Sequence, residues 1–188
     1  KGFKNIIGVD EAGRGPLAGP VVSAAVVFSP DLLGLGIRDS KKLTAVKREL
    51  LSKLIYKSSP CVSVATCWPE EVDEINIHNA ALISMRRAVL ALSIKPDIVL
   101  IDGKFTLKDM DVEQKAVIGG DNKSVTIAAA SIIAKTTRDT IMRAYHIIYP
   151  AYNFERNKGY PTKEHVAALN LSGPSPIHRR SFSYSGKK

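Results

Sequence analysis

The order of strand-like and helix-like segments restricts the fold of this chain more than any other feature. Two runs of small and β-branched residues, at positions 6–9 and 21–28, come first with no helix between them. After residue 40, strands and helices alternate. The periodicity predicts further strands at 61–67, 97–101 and 114–118, and helices at 44–57, 69–75, 79–93, 126–149 and 162–171. This order predicts an α/β domain whose mixed sheet starts antiparallel and becomes partly parallel.

No linker-like tract interrupts the 188 residues. We therefore predict one domain over residues 1–172. Gly173, Pro174 and Pro176 favour a loop, so we expect residues 173–188 to form a C-terminal tail.

The charge balance indicates the class of partner. Lys and Arg number 27 against 18 Asp and Glu, which gives a net charge of +9. A compact domain this basic attracts polyanions, and nucleic acid is the favoured partner; a merely basic solvated surface is the alternative. We expect no membrane partner, because no basic amphipathic helix stands out and the longest uncharged apolar stretch, residues 124–134, is shorter than the roughly 20 residues that cross a bilayer.

The two cysteines indicate the compartment. Cys61 and Cys67 are too far apart in sequence for a Cys-x-x-Cys site. We interpret them as free thiols in a reducing environment, which predicts a cytoplasmic location.

Acidic residues stand where predicted strands end. Asp10 and Glu11 follow the first strand, Asp102 follows the fourth, and Asp121 comes shortly after the fifth. Ligands of open α/β sheets bind at strand ends, and crowded carboxylates favour a hard divalent cation such as Mg²⁺ or Mn²⁺. Each acid could instead be an ordinary solvated loop residue. Since neighbouring strand residues point to opposite faces, Asp10 and Glu11 converge only if the strand ends there.

The segment that follows the first acids is rich in glycine. Gly13, Gly15 and Gly19 nearly match a dinucleotide fingerprint, but the third glycine is one residue late, prolines interrupt the helix start, and the preceding acids would repel a pyrophosphate. A loop whose backbone closely approaches a phosphate or sugar is the favoured interpretation, with a plain tight turn as the alternative.

Other polar residues give weaker signals. Tyr160 lies in a predicted turn, where its ring could stack on a base or sugar or could anchor the loop. Thr162 is most simply a helix N-cap, and we expect His165 to make a structural hydrogen bond. Three pairs of adjacent basic residues are each predicted to lie on a solvated face, as such pairs usually do. They are Lys41-Lys42, Arg86-Arg87 and Arg179-Arg180.

Taken together, these motifs resemble ribonuclease HII, the type 2 ribonuclease H family. The most specific is Asp-Glu-Ala-Gly-Arg-Gly at residues 10–15, and the resemblance continues in order through nearly the whole chain. The matching segments are 10–22, 39–43, 76–78, 102–103, 120–121, 129–135, 157–160 and 175–182.

The resemblance implies a ribonuclease H-like fold, a mixed sheet flanked by helices, and hydrolysis of the RNA strand of RNA–DNA hybrids and of single ribonucleotides in duplex DNA. It implies that the catalytic and metal-binding residues are Asp10, Glu11, Asp102 and Asp121, with Asp139 as a reserve ligand. It further implies a substrate-binding set of Gly13, Arg14, Gly15, Ser40, Lys41 and Tyr160, in which the glycine loop reads the 2′-hydroxyl and Tyr160 stacks on the sugar at the junction.

The expected enzyme is a metal-dependent endoribonuclease in which two divalent ions, Mg²⁺ or Mn²⁺, activate water for in-line attack, and the cleavage leaves 5′-phosphate and 3′-hydroxyl ends. We expect a monomer and predict no particular protein partner. The chain stops soon after Tyr184, so we expect the family's C-terminal helical extension to be short or absent. A non-catalytic nucleic-acid-binding module and a dinucleotide oxidoreductase are the alternatives; a Mg²⁺-dependent cleavage assay and nicotinamide binding discriminate them.

Overall fold

A five-stranded mixed sheet forms the centre of the protein. The computed structural model describes residues 2–37 and 43–184, so the predicted substrate residues Ser40 and Lys41 lie outside the described part. The strands are β1 (Ile6–Ala12), β2 (Val21–Val27), β3 (Val62–Cys67), β4 (Ile98–Asp102) and β5 (Glu113–Val117). They lie in the order β3-β2-β1-β4-β5. The first three strands pair antiparallel, and β1, β4 and β5 pair parallel. The predicted fold class is confirmed.

Helices cover both faces of this sheet. They are α1 (Ala45–Ser58), α2 (Pro69–Leu90), α3 (Gly120–Lys123), α4 (Val125–Ile148), α5 (Phe154–Asn157) and α6 (Lys163–Ser172). On one face, α1 and α4 pack on β2 around Ala24 and Val26. On the other face, α2 packs on β1, β2 and β3, and its buried residues share a cluster with Val9 and Ile101. Both layers bury the β-branched residues that define the strands.

The two helices predicted at 69–75 and 79–93 join into α2 across a kink. The kink lies at Asn76, whose φ of 66° and ψ of 162° are not helical. Oδ1 of Asn76 accepts hydrogen bonds from the N–H groups of His78 and Asn79, at 3.0 and 3.1 Å. Asn76 therefore acts as an internal N-cap that restarts the helix and aims His78 at the carboxyl end of the sheet.

Close packing of α4 on β1 depends on Gly8. A Cβ at this position would lie 2.3 Å from the carbonyl carbon of Thr126. Any side chain here would push α4 away from the strand that carries Asp10 and Glu11.

The segment after α6 is packed against the domain. Ile177, His178 and Arg179 are buried, and His178 forms an isolated β-bridge with Ala18. The boundary predicted at residue 172 stays a prediction, but residues 175–182 contact the loop that follows β1. Within residues 2–37 and 43–184, no helix has the length and apolar character to span a membrane.

Candidate active site

The carboxyl ends of β1 and β4 bring three acidic residues to one edge of the sheet. These strands are parallel neighbours, and Val9 is level with Ile101. Asp10 and Asp102, the next residues on each strand, are therefore side by side. Asp121 lies in α3, one residue after Gly120, whose N–H donates a 2.6 Å hydrogen bond to Oδ1 of Asp102.

The first strand runs three residues further than predicted, to Ala12. Asp10 and Glu11 consequently lie inside the strand and leave it on opposite faces. Asp10 points towards α4, where Ser131 is its hydrogen-bond partner. Glu11 borders a cleft on the α2 side, beside His78 and Met85. The two carboxylates remain in electrostatic contact because both flank the end of β4.

Burial and mutual repulsion control the charge of this group. Burial raises the pKa of Asp10 well above its ordinary value, and the charges of Glu11 and Asp102 raise it further. Burial also raises the pKa of Glu11; Asp102 adds to this effect, and Arg14, whose Nη1 lies 3.4 Å from Oε1 of Glu11, opposes it. Both carboxylates therefore lie where a cation would be strongly attracted.

The donor set fits a hard divalent cation. Oε2 of Glu11 is buried and receives no hydrogen bond from an N–H or hydroxyl group of the described residues. Asp10 and Asp121 are 5% and 1% exposed, so water only partly solvates their charge. Within residues 2–37 and 43–184, no group of three or more His, Cys, Asp or Glu side chains is already arranged to hold an ion.

Asp139, the reserve candidate, has a different partner. It lies in α4, and its Oδ1 accepts a 2.7 Å hydrogen bond from Nζ of Lys135 one turn earlier. The resulting ion pair is an ordinary stabilising arrangement on a helix, and the structure gives Asp139 no contact with Asp10, Glu11 or Asp102.

A cleft of about 330 Å³ opens beside Glu11 and Asp102. Arg14 and Lys104 contribute positive charge to its rim. Its walls include the His78 and Phe105 rings, which meet edge to face with centroids 4.7 Å apart. A polyanion lying across the rim would bring its backbone to the acidic edge of the sheet.

The glycine-rich segment forms a loop that is held from below by Arg179. The loop carbonyls accept its hydrogen bonds: Nη2 binds O of Gly13 at 2.6 Å, and Nη1 binds O of Arg14 and Pro16 at 2.9 and 2.8 Å. Nε and Nη2 both bind O of Gly19. In the described part of the chain, the N–H groups of Gly13, Arg14 and Gly15 donate no hydrogen bond. The loop thus presents donors while its acceptors are occupied.

A second buried guanidinium, that of Arg138 in α4, supports the same loop. It donates to the carbonyl oxygens of Pro20, Ala18 and Lys158 at 3.0, 2.9 and 2.9 Å. Arg138 is fully buried. Its stem also occupies the space below Gly13, where φ is 98° and a Cβ would lie 2.1 Å from Nε of Arg138. Only glycine fits this position.

Tyr160 stands next to the loop with its ring accessible. The side chain is 41% exposed. Nζ of Lys135 and Cζ of Arg138 each lie 5.9 Å from the ring centroid. Cε1 of Tyr160 would be 3.7 Å from a Cβ at Gly15, so the ring and the loop form adjoining walls of one surface.

Sequence reasoning missed two buried groups at this site. Arg179 is not part of a solvated basic pair as predicted; it is 3% exposed because loop carbonyls surround it. Arg138 is not predicted as part of the site. Its position on the apolar side of the long helix α4 is the sequence signal that indicates its burial. His165 makes the expected structural hydrogen bond, from Nδ1 to O of Tyr160 at 2.9 Å, and Thr162 caps α6 as predicted.

The sequence model of the family described as Ribonuclease HII matches residues 7–185. The chain belongs to the ribonuclease HII family. It is 50% identical over 182 residues to the ribonuclease HII of Caldicellulosiruptor saccharolyticus, a match that covers 97% of this chain and 88% of that protein. As a member of this family, the protein is a metal-dependent endoribonuclease that acts on the RNA of RNA–DNA hybrids, and the enzyme class predicted from the sequence is confirmed.

Solved structures agree with the fold of this chain. The structure of the PCNA:RNase HII complex from Archaeoglobus fulgidus matches with a TM-score of 0.83 at 26% identity, covering 98% of both chains. Bst-RNase HIII in complex with Mn²⁺ matches with a TM-score of 0.65 at 20% identity, covering 90% of this chain and 63% of that one. At that identity the second match supports the fold alone.

Proposed function

We propose that the protein cleaves both the RNA strand of hybrids and duplex DNA that contains a single ribonucleotide, on the 5′ side of that ribonucleotide. The observation that carries the proposal is the juxtaposition of two features. Asp10 and Glu11, whose carboxylates have raised pKa values, lie near the end of β1. The loop that follows carries N–H groups at Gly13, Arg14 and Gly15 that donate no hydrogen bond within the described part of the chain. A sugar held by the loop would place its phosphate at the carboxylates.

Four carboxylates would hold the divalent metal, namely Asp10, Glu11, Asp102 and Asp121. When bound, Mg²⁺ or Mn²⁺ activates water as a nucleophile and stabilises charge on the attacking and leaving oxygens. The support is the donor chemistry: oxygen ligands, buried and mutually repelling, beside an oxygen of Glu11 that lacks a hydrogen bond. The identity and number of ions belong to the proposal.

The remaining residues bind and orient the substrate. Arg14 and Lys104, on the cleft rim, would contact phosphates that flank the scissile bond. The N–H groups of the loop would donate to the 2′-hydroxyl, which both donates and accepts and is absent from deoxyribose. The exposed ring of Tyr160 would stack on the neighbouring deoxyribose, where an added hydroxyl would crowd it. Cleavage then leaves 5′-phosphate and 3′-hydroxyl ends.

Location and assembly are also proposals. Cys61 and Cys67 are both free thiols, which supports a reducing compartment, the cytoplasm. We propose that the protein acts as a monomer. Hybrids and ribonucleotide-containing duplexes are the proposed partners; no protein partner is assigned.

A cleavage gel tests this function directly. Three duplexes of equal length would carry one ribonucleotide, a run of ribonucleotides, or none, each with Mg²⁺, with Mn²⁺ or with a chelator. We expect cleavage of the first two only, with the single cut at the phosphate leading into the ribonucleotide. Equal cleavage of the all-DNA duplex, or none at the lone ribonucleotide, would refute the proposal.

A further inference from the structure

Two neighbouring residues of the C-terminal segment, His178 and Arg179, connect it to Tyr160 and to the 13–19 loop. Each does so through its own set of hydrogen bonds, called here the histidine route and the arginine route. Arg179 binds the carbonyl oxygens of Gly13, Arg14, Pro16 and Gly19. His178 lies with its Nε2 atom 2.9 Å from Nε2 of His165, and Nδ1 of His165 lies 2.9 Å from O of Tyr160. One short segment thus connects the loop to Tyr160.

The direction of the hydrogen bonds along the histidine route follows from the bond that Ser175 makes to His178. The N–H of Ser175 donates to Nδ1 of His178 at 2.9 Å, so that nitrogen carries no proton. The proton of neutral His178 is then on Nε2 and is donated to Nε2 of His165. His165 in turn carries its proton on Nδ1 and donates it to O of Tyr160. All three bonds are satisfied when both rings are neutral.

Burial makes this route rigid. His165 is fully buried and His178 is 3% exposed, and the rings of Tyr152 and Phe154 surround them with centroids 4.9 to 6.3 Å away. The backbone of Tyr160 is fixed further by its N–H, which donates to O of Asn157 at 2.9 Å. With the backbone fixed from both sides, the Tyr160 ring has few ways to leave the loop.

The arginine route, from Arg179 to the 13–19 loop, contains a positively charged guanidinium. The N–H groups of Arg179 donate to carbonyl oxygens of the loop, and the charge of Asp73 also acts on its guanidinium. Burial, with the nearby Arg138 charge, lowers the pKa of Arg179 to about 9, which leaves it protonated at neutral pH. A planar guanidinium that binds four carbonyls fixes their mutual orientation, which a lysine ammonium does not do.

We propose that Ser175, His178 and Arg179 form a C-terminal clamp that positions the 13–19 loop and Tyr160 relative to each other, so that His178 and Arg179 determine discrimination at the ribonucleotide junction without touching substrate. The inference rests on the proposed function, which assigns the loop and Tyr160 to the ribose and its deoxyribose neighbour. A uniform hybrid presents a 2′-hydroxyl at every position. Its cleavage therefore depends less on the position of Tyr160 relative to the 13–19 loop.

Paired variants test the clamp through the ratio of kcat/KM for a single-ribonucleotide duplex to kcat/KM for a uniform hybrid. His178→Leu keeps the bulk and removes the donor, while His178→Gln retains an amide donor. We expect the ratio to fall at least about tenfold in His178→Leu and in Arg179→Lys, the equivalent of about 1.4 kcal/mol in the barrier. His178→Gln should recover most of it. Arg180→Lys, the same change at the exposed neighbour, is the control and should leave the ratio unchanged.

A spectroscopic measurement separates the clamp from the proposed function. In ¹⁵N spectra of histidine-labelled protein, we expect His178 protonated on Nε2 and His165 on Nδ1, with the His165 signal changed in His178→Leu. If the wild type fails to cut at a lone ribonucleotide, the proposed function is wrong, and the spectra still decide whether the route exists. If the wild type cuts there and the ratio is the same in all variants, the clamp is overturned. Should His178→Leu not fold, the ratio in Arg179→Lys decides.

Discussion

Oδ1 of Asp102 accepts a hydrogen bond of 2.6 Å from the N–H of Gly120 and so joins the end of β4 to the first turn of α3. This contact has two consequences. It fixes one oxygen of Asp102 and leaves the other for the acidic edge of the sheet. It also places Asp121, the next residue after Gly120, beside the same edge. A substitution that removes the acceptor would disturb Asp121 together with Asp102.

The carboxylates are expected to be essential for cleavage but not for binding. Asp10→Asn and Asp102→Asn should each lower kcat at least about 100-fold, because the site loses a ligand charge. Hybrid binding should persist or tighten, since a charge that repels phosphate is removed. Asparagine at position 102 can still accept from Gly120, so the fold is retained. Asp111→Asn, at an exposed position, is the control; normal turnover in Asp10→Asn would contradict the assignment.

The two glycines that flank Arg14 should respond differently to alanine. Gly13 has a φ of 98°, and a Cβ there would meet Arg138 at 2.1 Å and O of Pro20 at 2.7 Å. Gly13→Ala should therefore lower the free energy of unfolding by about 3 kcal/mol, through backbone strain and overpacking. A Cβ at Gly15 would meet only Tyr160, at 3.7 Å. Gly15→Ala should change stability by less than about 0.5 kcal/mol and still lower activity by obstructing the sugar. Chemical denaturation and the cleavage assay on both variants give the comparison.

Tyr160 is expected to act through its ring. Tyr160→Ala should reduce cleavage of a single-ribonucleotide duplex more than cleavage of a uniform hybrid, by about tenfold or more, because stacking on the junction sugar is lost. Tyr160→Phe keeps the ring and should retain most of the difference between the substrates. Parallel kinetics on the two duplexes measure it, and an equal loss on both would show that Tyr160 serves only the fold.

Much of this arrangement could be predicted from local sequence. The period of apolar residues gave the five strands and the long α4, because burial on a sheet imposes a period of two or a continuous apolar run. Asp10 and Asp102 lie at one edge of the sheet because the parallel neighbours β1 and β4 end on the same side; their role as metal ligands stays a prediction. The faces of Asp10 and Glu11 could not be predicted, since they depend on how far β1 pairs with β2, as Ala12 does with Val22.

Long-range contacts explain the rest of the difference. Arg179 looks like one of two surface basic residues, and only the folded chain reveals that carbonyls 160 or more residues away surround it. Likewise, nothing near Asn76 indicates that the two α2 segments join as one kinked helix. Burial of a cation by distant backbone oxygens leaves no periodic trace in the sequence.

Binding should depend strongly on salt. If Z phosphates are contacted, the logarithm of affinity should fall with the logarithm of salt at a slope of about −0.9Z for a B-like duplex. Lys104→Gln, at the rim of the cleft, should make the slope shallower by about one. Lys57→Gln, at the end of α1 on the opposite edge of the sheet, is the matched control. Titrations between low and moderate salt with an inactive Asp10→Asn protein measure these slopes, and a slope near zero would place the positive charge away from the interface.

The buried histidine pair makes stability depend on pH in a defined direction. Burial, with the His165 ring and the Arg180 charge, lowers the pKa of His178 to about 4, from an ordinary value of 6.5. The unfolded chain therefore binds more protons than the folded protein between these values, so the free energy of unfolding falls as the pH drops from about 7 to 4. The loss from His178 alone is at most about 3 kcal/mol. The carboxylates also titrate in this range, but they do so equally in wild type and His178→Gln. Urea unfolding of both proteins across this range isolates the histidine contribution: the wild type should lose more stability on acidification than the variant, and parallel curves would show that His178 is not held neutral by the fold.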